Sequence, residues 1–387
     1  MTRNRMPWLV TATALLWSGN AGAAEVKTAG YGVTTDGRPV HSYTLTNDTG
    51  ASVTILDYGG AIADILVPDR DGKLGNVVMS FPDIGGWEFV GHANSLIGRA
   101  ANRIRNGFTL DGTHFPLQQN ALHITQHSGP PTYSTRVWKV EPIRKRDGAA
   151  ITLTMDSPDG DQGFPGHMVI KATYRLSNDN ALRLDFVATT DKPTVLNPAN
   201  HIYFNLNGNS TTPIFSHDLQ IMADRVAAKD PDQVPTGELL PIAGTPFDFN
   251  KPVVLATRMA IALDPSFATA ATSPPLPAGM VRTYDHSMVL ASGANRLDRL
   301  AARLHDPASG RVVELRTTET TIQLFTPATR NGVLSEVGRP FTPGPAIALE
   351  TEHLPDSPNH ANFPSTVLRP GHTFRSTTIF AFSTDRR

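Results

Sequence analysis

Two residues able to move protons, His201 and Glu350, each stand in a short segment whose apolar residues alternate with polar or small ones. In Asn200-His-Ile-Tyr-Phe-Asn-Leu206, Ile202, Phe204 and Leu206 alternate with His201, Tyr203 and Asn205. A period of two is that of a β-strand, so the apolar bulk faces a core and His201 the opposite side. In Ala346-Ile-Ala-Leu-Glu-Thr351, Ile347 and Leu349 share one face, and Ala346, Ala348 and Glu350 share the other. The small alanines predict open space beside the carboxylate. An imidazole and a carboxylate held on rigid strands suit a reaction in which one atom gains a proton while another loses one.

Three further segments carry polar groups. Leu96-Ile-Gly-Arg-Ala-Ala-Asn-Arg-Ile104 places Arg99, Asn102 and Arg103 among small and apolar residues. Arg103 can donate two parallel hydrogen bonds, and Asn102 can both donate and accept, which suits a neutral polyhydroxylated ligand as well as an acid. An arginine here can equally tie down a loop by bonding to carbonyls. Leu122-His-Ile-Thr-Gln-His-Ser-Gly129 offers His123 and His127, four apart. No acidic residue completes a zinc-protease helix motif, and Pro130-Pro131 forbids a long helix, so no metal site is expected. Asp285 precedes a strand expected at Ser287–Leu290 and by itself reads as a turn or cap residue.

The elements that must position these groups are strands. Gly and Pro, 31 of each in 387 residues, exceed average usage and separate short alternating runs. Strands are predicted at 53–58, 61–67, 76–81, 149–155, 168–176, 181–189, 312–317, 321–326, 346–351 and 377–382, with turns at Pro68–Lys73 and Asn178–Asn180. No repeat of solenoid or propeller period is present. The Ala-, Pro-, Ser- and Thr-rich stretch from Ala262 to Met280 reads as an insertion, because strand-like sequence resumes directly after it. A formal net charge of −1 and the lack of a long basic run argue against a nucleic-acid partner. The chain has no cysteine, which excludes disulfides and thiolate chemistry.

The N-terminus has the layout of an export signal. Arg3 and Arg5 precede a largely apolar stretch from Met6 to Trp17, too short to span a membrane, and Ala21-Gly22-Ala23 fits a small-x-small cleavage site. The expectation is a signal peptide over residues 1–23, then one domain over 24–387, periplasmic or secreted and free of the membrane. That mature chain has 32 basic and 35 acidic groups, a formal charge of −3. No assembly segment is evident, and a monomer is expected.

Taken in order, several motifs resemble one family. They are Gly98-Arg-Ala-Ala-Asn-Arg-Ile104, Ser157-Pro-Asp-Gly-Asp-Gln-Gly-Phe-Pro-Gly166, Asn197-Pro-Ala-Asn-His-Ile-Tyr-Phe-Asn-Leu-Asn-Gly208, and Pro235-Thr-Gly-Glu238 with Thr245-Pro-Phe-Asp248. Tyr284-Asp-His286, Leu349-Glu-Thr351 and Leu368-Arg-Pro-Gly371 complete the series. From about Tyr58 onward the chain is similar, in order and spacing, to the aldose 1-epimerase (galactose mutarotase) family.

The resemblance implies an all-β fold, a large antiparallel β-sandwich with a sugar cleft on one sheet. It implies interconversion of the α- and β-anomers of free aldoses such as galactose or glucose by acid–base ring opening, without metal or organic cofactor. It assigns His201 as the acid, Glu350 as the base, and Asn102, Arg103, His127 and Asp285 as holders of sugar hydroxyls. The family's Leu-His-Gly-Gly loop, which ends Gly-Phe-Asp, is altered here to Gln126-His-Ser-Gly-Pro-Pro-Thr-Tyr-Ser134. Counts from Trp138 and from Asn120 select His127 over His123. Other readings are a secreted carbohydrate-binding protein without turnover, and a polysaccharide lyase or sugar-phosphate epimerase on the same sandwich. A surplus of basic residues near the motifs would mark the last two, and none is present.

Overall fold

Alternating runs such as Met168–Ser177 and Ala181–Thr190 pair as long antiparallel strands, each with one buried face and one facing solvent. The turn between them sits at Asn178–Asn180, where Asn180 takes a φ of 61° and its N–H bonds to the Ser177 carbonyl. Asparagine is among the few residues that adopt this conformation readily. The computed structural model describes residues 25–120, 123–145, 148–209, 211–260, 263, 280–291, 296–327 and 344–385. The expected signal, residues 1–23, and most of the Ala262–Met280 insertion lie outside the described residues.

Among the described residues the strands form three main antiparallel sheets. A nine-stranded sheet runs in the spatial order 139–145, 148–157, 168–177, 181–190, 374–384, 311–317, 302–305, 218–221 and 253–254. A six-stranded sheet has the order 203–204, 347–352, 321–325, 285–290, 223–229 and 235–241. A five-stranded meander covers 25–33, 39–46, 52–56, 62–68 and 74–76. One core joins all three. It includes Ile151, Leu184 and Phe380 from the first, Met288, Ile322 and Leu349 from the second, and Val53, Ile55 and Ile65 from the third. This is the all-β antiparallel sandwich that the resemblance implies. The one α-helix among the described residues, Ile84–Val90, starts on the Asp83 carboxylate and ends at Gly91 with a φ of 72°.

Two predicted strands form differently. Over 76–81 only Val78 bridges to Phe204, and the strand of that hairpin is Leu74–Asn76. The cause is divided hydrogen bonding: the Val77 N–H goes to the Ile65 carbonyl and the Met79 N–H to that of Tyr203. The segment is thus a link between sheets. The strand expected through Asn200–Leu206 is split into Ala199–Asn200, paired with Leu96–Ile97, and Tyr203–Phe204, paired with Ile347–Ala348. The Asn94 side chain accepts the Tyr203 N–H at 2.8 Å where a ladder carbonyl would otherwise serve. The alternation nevertheless survives: Ile202, Phe204 and Leu206 enter the main core and Tyr203 a second cluster.

Candidate active site

The strand Ile347–Glu352 is buried at every position, unlike the half-exposed strands of the nine-stranded sheet. Ile347 and Leu349 fill the core on one side. On the other, Ala346 and Ala348 are packed over, and the predicted space opens at Glu350. Tyr203 and Phe325 are both ladder partners of Ala348 and pack into the same small cluster. They form an aromatic floor. His201 lies on it, stacked on the Tyr203 ring with centroids 4.7 Å apart and the planes 23° from parallel. The edge of Phe325 closes from 5.9 Å. Backbone bonds from the His201 N–H to Ser95 and from the Asn94 N–H to His201 pin the segment on either side of the ring.

Beyond this floor opens a cleft of about 430 Å³, which holds all six residues singled out from the sequence. His201 Nε2 and Glu350 Oε1 are 3.5 Å apart, and both side chains are almost entirely buried. Arg103 donates to the Asn102 side-chain oxygen at 3.0 Å and to the Asp285 carboxylate at 3.0 Å. Gln323, the ladder partner of Glu350, donates to the other Asp285 oxygen at 2.6 Å. Asp285 therefore is not a cap. It opens the strand Asp285–Leu290 and binds across to two neighbours.

His127 and Asn102 hold each other. The His127 N–H bonds to the Asn102 carbonyl at 2.7 Å, and the Asn102 N–H donates to His127 Nδ1 at 3.2 Å. With Nδ1 accepting, the ring hydrogen resides on Nε2. Burial, with His92 and Arg103 adding, pushes His127 down to about 3, so it is a neutral hydrogen-bond donor at working pH. The altered loop has its own support. His127, Ser128 and Gly129 all have positive φ, and the Ser128 hydroxyl bonds to both the N–H and the carbonyl of Ala100. His123 is exposed.

The two arginines of one motif divide its two possible roles. Arg103 faces the cleft, whereas Arg99 is fully buried and donates to the carbonyls of Ser157, Pro158, Pro165 and Gly166. A groove of about 810 Å³ elsewhere, between the 110–115 and 159–165 segments, is larger than the cleft. Its charged groups are already in ion pairs, Lys192 with Asp159 and Asp111 with Arg369.

A model of the aldose 1-epimerase family matches residues 41–381. The chain belongs to that family. Galactose mutarotase of Rattus norvegicus is 31% identical over 350 residues, covering 90% of this chain and 95% of its own. Aldose 1-epimerase of Escherichia coli (strain K12) is 32% identical over 355 residues, covering 90% and 96%. The crystal structure of galactose 1-epimerase from Lactobacillus acidophilus NCFM shares the fold, with a TM-score of 0.78 at 24% identity over 94% of this chain and all of that one. As a member of the aldose 1-epimerase family, the protein is an isomerase of the epimerase class.

For this epimerase the charges of the cleft are uneven. Burial, then Glu352 and Asp285, push the Glu350 carboxyl well above its ordinary range, and Arg103 only partly opposes them. Burial would also raise Asp285, but Arg103 and Lys229 outweigh it and hold that carboxylate below its ordinary value. Several residues at the site were not found from the sequence. Gln323 lies on the expected 321–326 strand, but its ladder partner depends on the fold. His92 follows the helix and has its ring 4.9 Å from His201 and 5.6 Å from His127. Nothing local marks it. Glu352 did leave a signal, because it stands two residues beyond Glu350 and so shares its face.

Proposed function

We propose that this epimerase interconverts the anomers of free, uncharged hexoses, galactose and glucose foremost, with His201 as acid and Glu350 as base. The observation that carries the reading is the 3.5 Å approach of His201 Nε2 to Glu350 Oε1 on the floor of a polar cleft. The ring oxygen O5 and the anomeric oxygen O1 are bonded to one carbon, so two groups this close can serve both at once.

Glu350 takes the proton of the O1 hydroxyl while His201 gives its Nε2 proton to O5. The C1–O5 bond breaks, C1 becomes an aldehyde, and both catalytic groups end neutral. Rotation about C1–C2 presents the other face of the carbonyl. O5 attacks, His201 recovers its proton and Glu350 returns the other to O1, so no proton is gained or lost. A carboxylate raised by burial is a better base than an ordinary one, and acid–base action of this kind contributes 10²–10⁴-fold per group. Arg103, Asp285, Asn102 and the Nε2–H of His127 supply donors and acceptors for the remaining hydroxyls. Their mixture of charges, with Asp285 facing Arg103, favours a neutral sugar over a phosphate or uronate. The proposal includes removal of residues 1–23 as an export signal, giving a periplasmic or secreted enzyme, and a monomeric state.

Polarimetry on fresh α-D-galactose and α-D-glucose tests the reading. Mature protein should speed the approach to the equilibrium rotation, and Glu350→Gln should not. Saturable binding without acceleration over buffer would refute catalysis and leave a sugar-binding protein.

A further inference from the structure

The mechanism above leaves one buried acid unused. Glu352 ends the strand that carries Glu350, on the same face, and is completely inaccessible to solvent. Its Oε1 accepts a hydrogen bond from the Asn102 amide at 3.4 Å, and its Oε2, equally buried, has no partner among the described residues. A carboxylate placed this way is costly to the fold unless it serves something. It stands two residues from the base on the same strand face and bonds to Asn102 of the sugar site. We propose that Glu352 is a positioning residue of the epimerase, aiming the Asn102 amide at the sugar and governing the proton affinity of Glu350 through its charge.

The hydrogen bonds make a continuous chain. Glu352 accepts from Asn102, Asn102 accepts from Arg103, Arg103 donates to Asp285, Gln323 donates to Asp285, and Ser287 donates to Gln323. Asn102 sits at a φ of 58°, which asparagine adopts readily, so what the Glu352 bond fixes is the direction of its side-chain amide. Without Glu352 its amide nitrogen loses that anchor.

Other charged groups meet Glu350 from every side. His201 approaches it directly, with the His92 and His127 rings behind. Arg103 and Asp285 flank the cleft, and Lys229 bonds to the Asp285 carbonyl from beyond. On the far side of Glu352 lies Glu319, already paired with His353. Arg103 is the permanent cation that acts on both glutamates, and its fork is occupied by Asn102 and Asp285. Burial raises Glu352 as well as Glu350, and Arg103 opposes the rise in each, so the repulsion between the two carboxylates is only partly offset. Two carboxylates on one strand face stand about 7 Å apart, which at an effective dielectric of ~20 corresponds to roughly one to two pH units.

This inference rests on Glu350 being the base, and three variants keep the two claims apart. Glu352→Gln preserves shape and can still accept from Asn102, but removes the charge. The acid limb of its kcat/KM profile on galactose should move about one to two units lower, with KM near wild type. Glu352→Asp keeps the charge but withdraws it from Asn102, so the limb should stay in place while KM rises several-fold. An unmoved limb in Glu352→Gln overturns the electrostatic role, and an unchanged KM in Glu352→Asp overturns the positioning role. If Glu350→Gln instead turns over like wild type, it is the reading of the base that fails.

Discussion

Replacing Glu350 by glutamine should make the protein slower and more stable at once, and the structure sets the size of both effects. The residue is 2% exposed, with Oε2 buried and without a hydrogen-bond partner among the described residues. Glutamine matches its shape and cannot take a proton. Loss of the base should lower kcat at least ~10²-fold, or about 2.7 kcal/mol of barrier. The stability effect follows from linkage. The folded protein holds the Glu350 proton more tightly than the unfolded chain, where the carboxyl titrates near 4.5. That extra stability is complete below the unfolded value and is lost as pH rises through the raised folded one, at about 1.4 kcal/mol per unit of difference. Glutamine has no such loss. The variant should therefore gain on wild type between pH 5 and 8 and show little gain at pH 4. Polarimetry gives the rate, and thermal unfolding across this pH range gives the stability. A gain that is the same at every pH would refute the charge argument. A wild-type rate would refute the base.

Three other outcomes follow from the same contacts. Asp285→Asn keeps a neutral acceptor for Arg103 but loses the charge, so KM for galactose should rise about tenfold while kcat changes little. Equal losses in both constants would show a role in the chemical step. His127, with Nδ1 engaged by the Asn102 N–H, should give nitrogen NMR shifts that do not titrate between pH 5 and 8. A transition near pH 6.5 would show that it takes a proton. Arg99→Leu leaves four carbonyls of the 157–166 loop without their donor, and should cost about 3 kcal/mol or more by urea unfolding. A midpoint close to wild type would mean the loop finds other partners.

The long ladders were legible because the pattern that makes them is local. In Met168–Ser177 every second residue is apolar and buried, so face and pairing follow from the sequence itself. The site is less local. His201 and Glu350 could be placed on strand faces from their neighbours, whereas the other four stood out only as polar candidates, and their roles came through the family resemblance. The split at His201 depends on Asn94, which bonds across 109 positions to Tyr203. The space predicted beside the Glu350 carboxylate is the cleft, but Ala348 itself is covered by two aromatic rings brought in from different strands. His92 reaches the cleft by the path of a loop after a helix, and no period encodes such a path.

That division has a physical reason. A regular ladder sets directly opposite side chains side by side, which brings a histidine near a glutamate but leaves the tilt of its ring to the neighbours. Here Glu350 sits in a regular strand whose two faces are both covered, and that fixes its position. His201 sits in the gap between two short pairings, where the backbone bonds to Ser95 and Asn94 instead of a ladder partner. Leaving the ladder for two residues lets its ring lie flat on Tyr203 with Nε2 facing the carboxylate. The irregularity at His201 is thus part of the catalytic geometry. The register of Tyr203 with Ala348 and Phe204 with Ile347, carried two residues further, would already set His201 opposite Glu350, so the break serves the tilt and support of the ring and the pairing register serves its choice of partner.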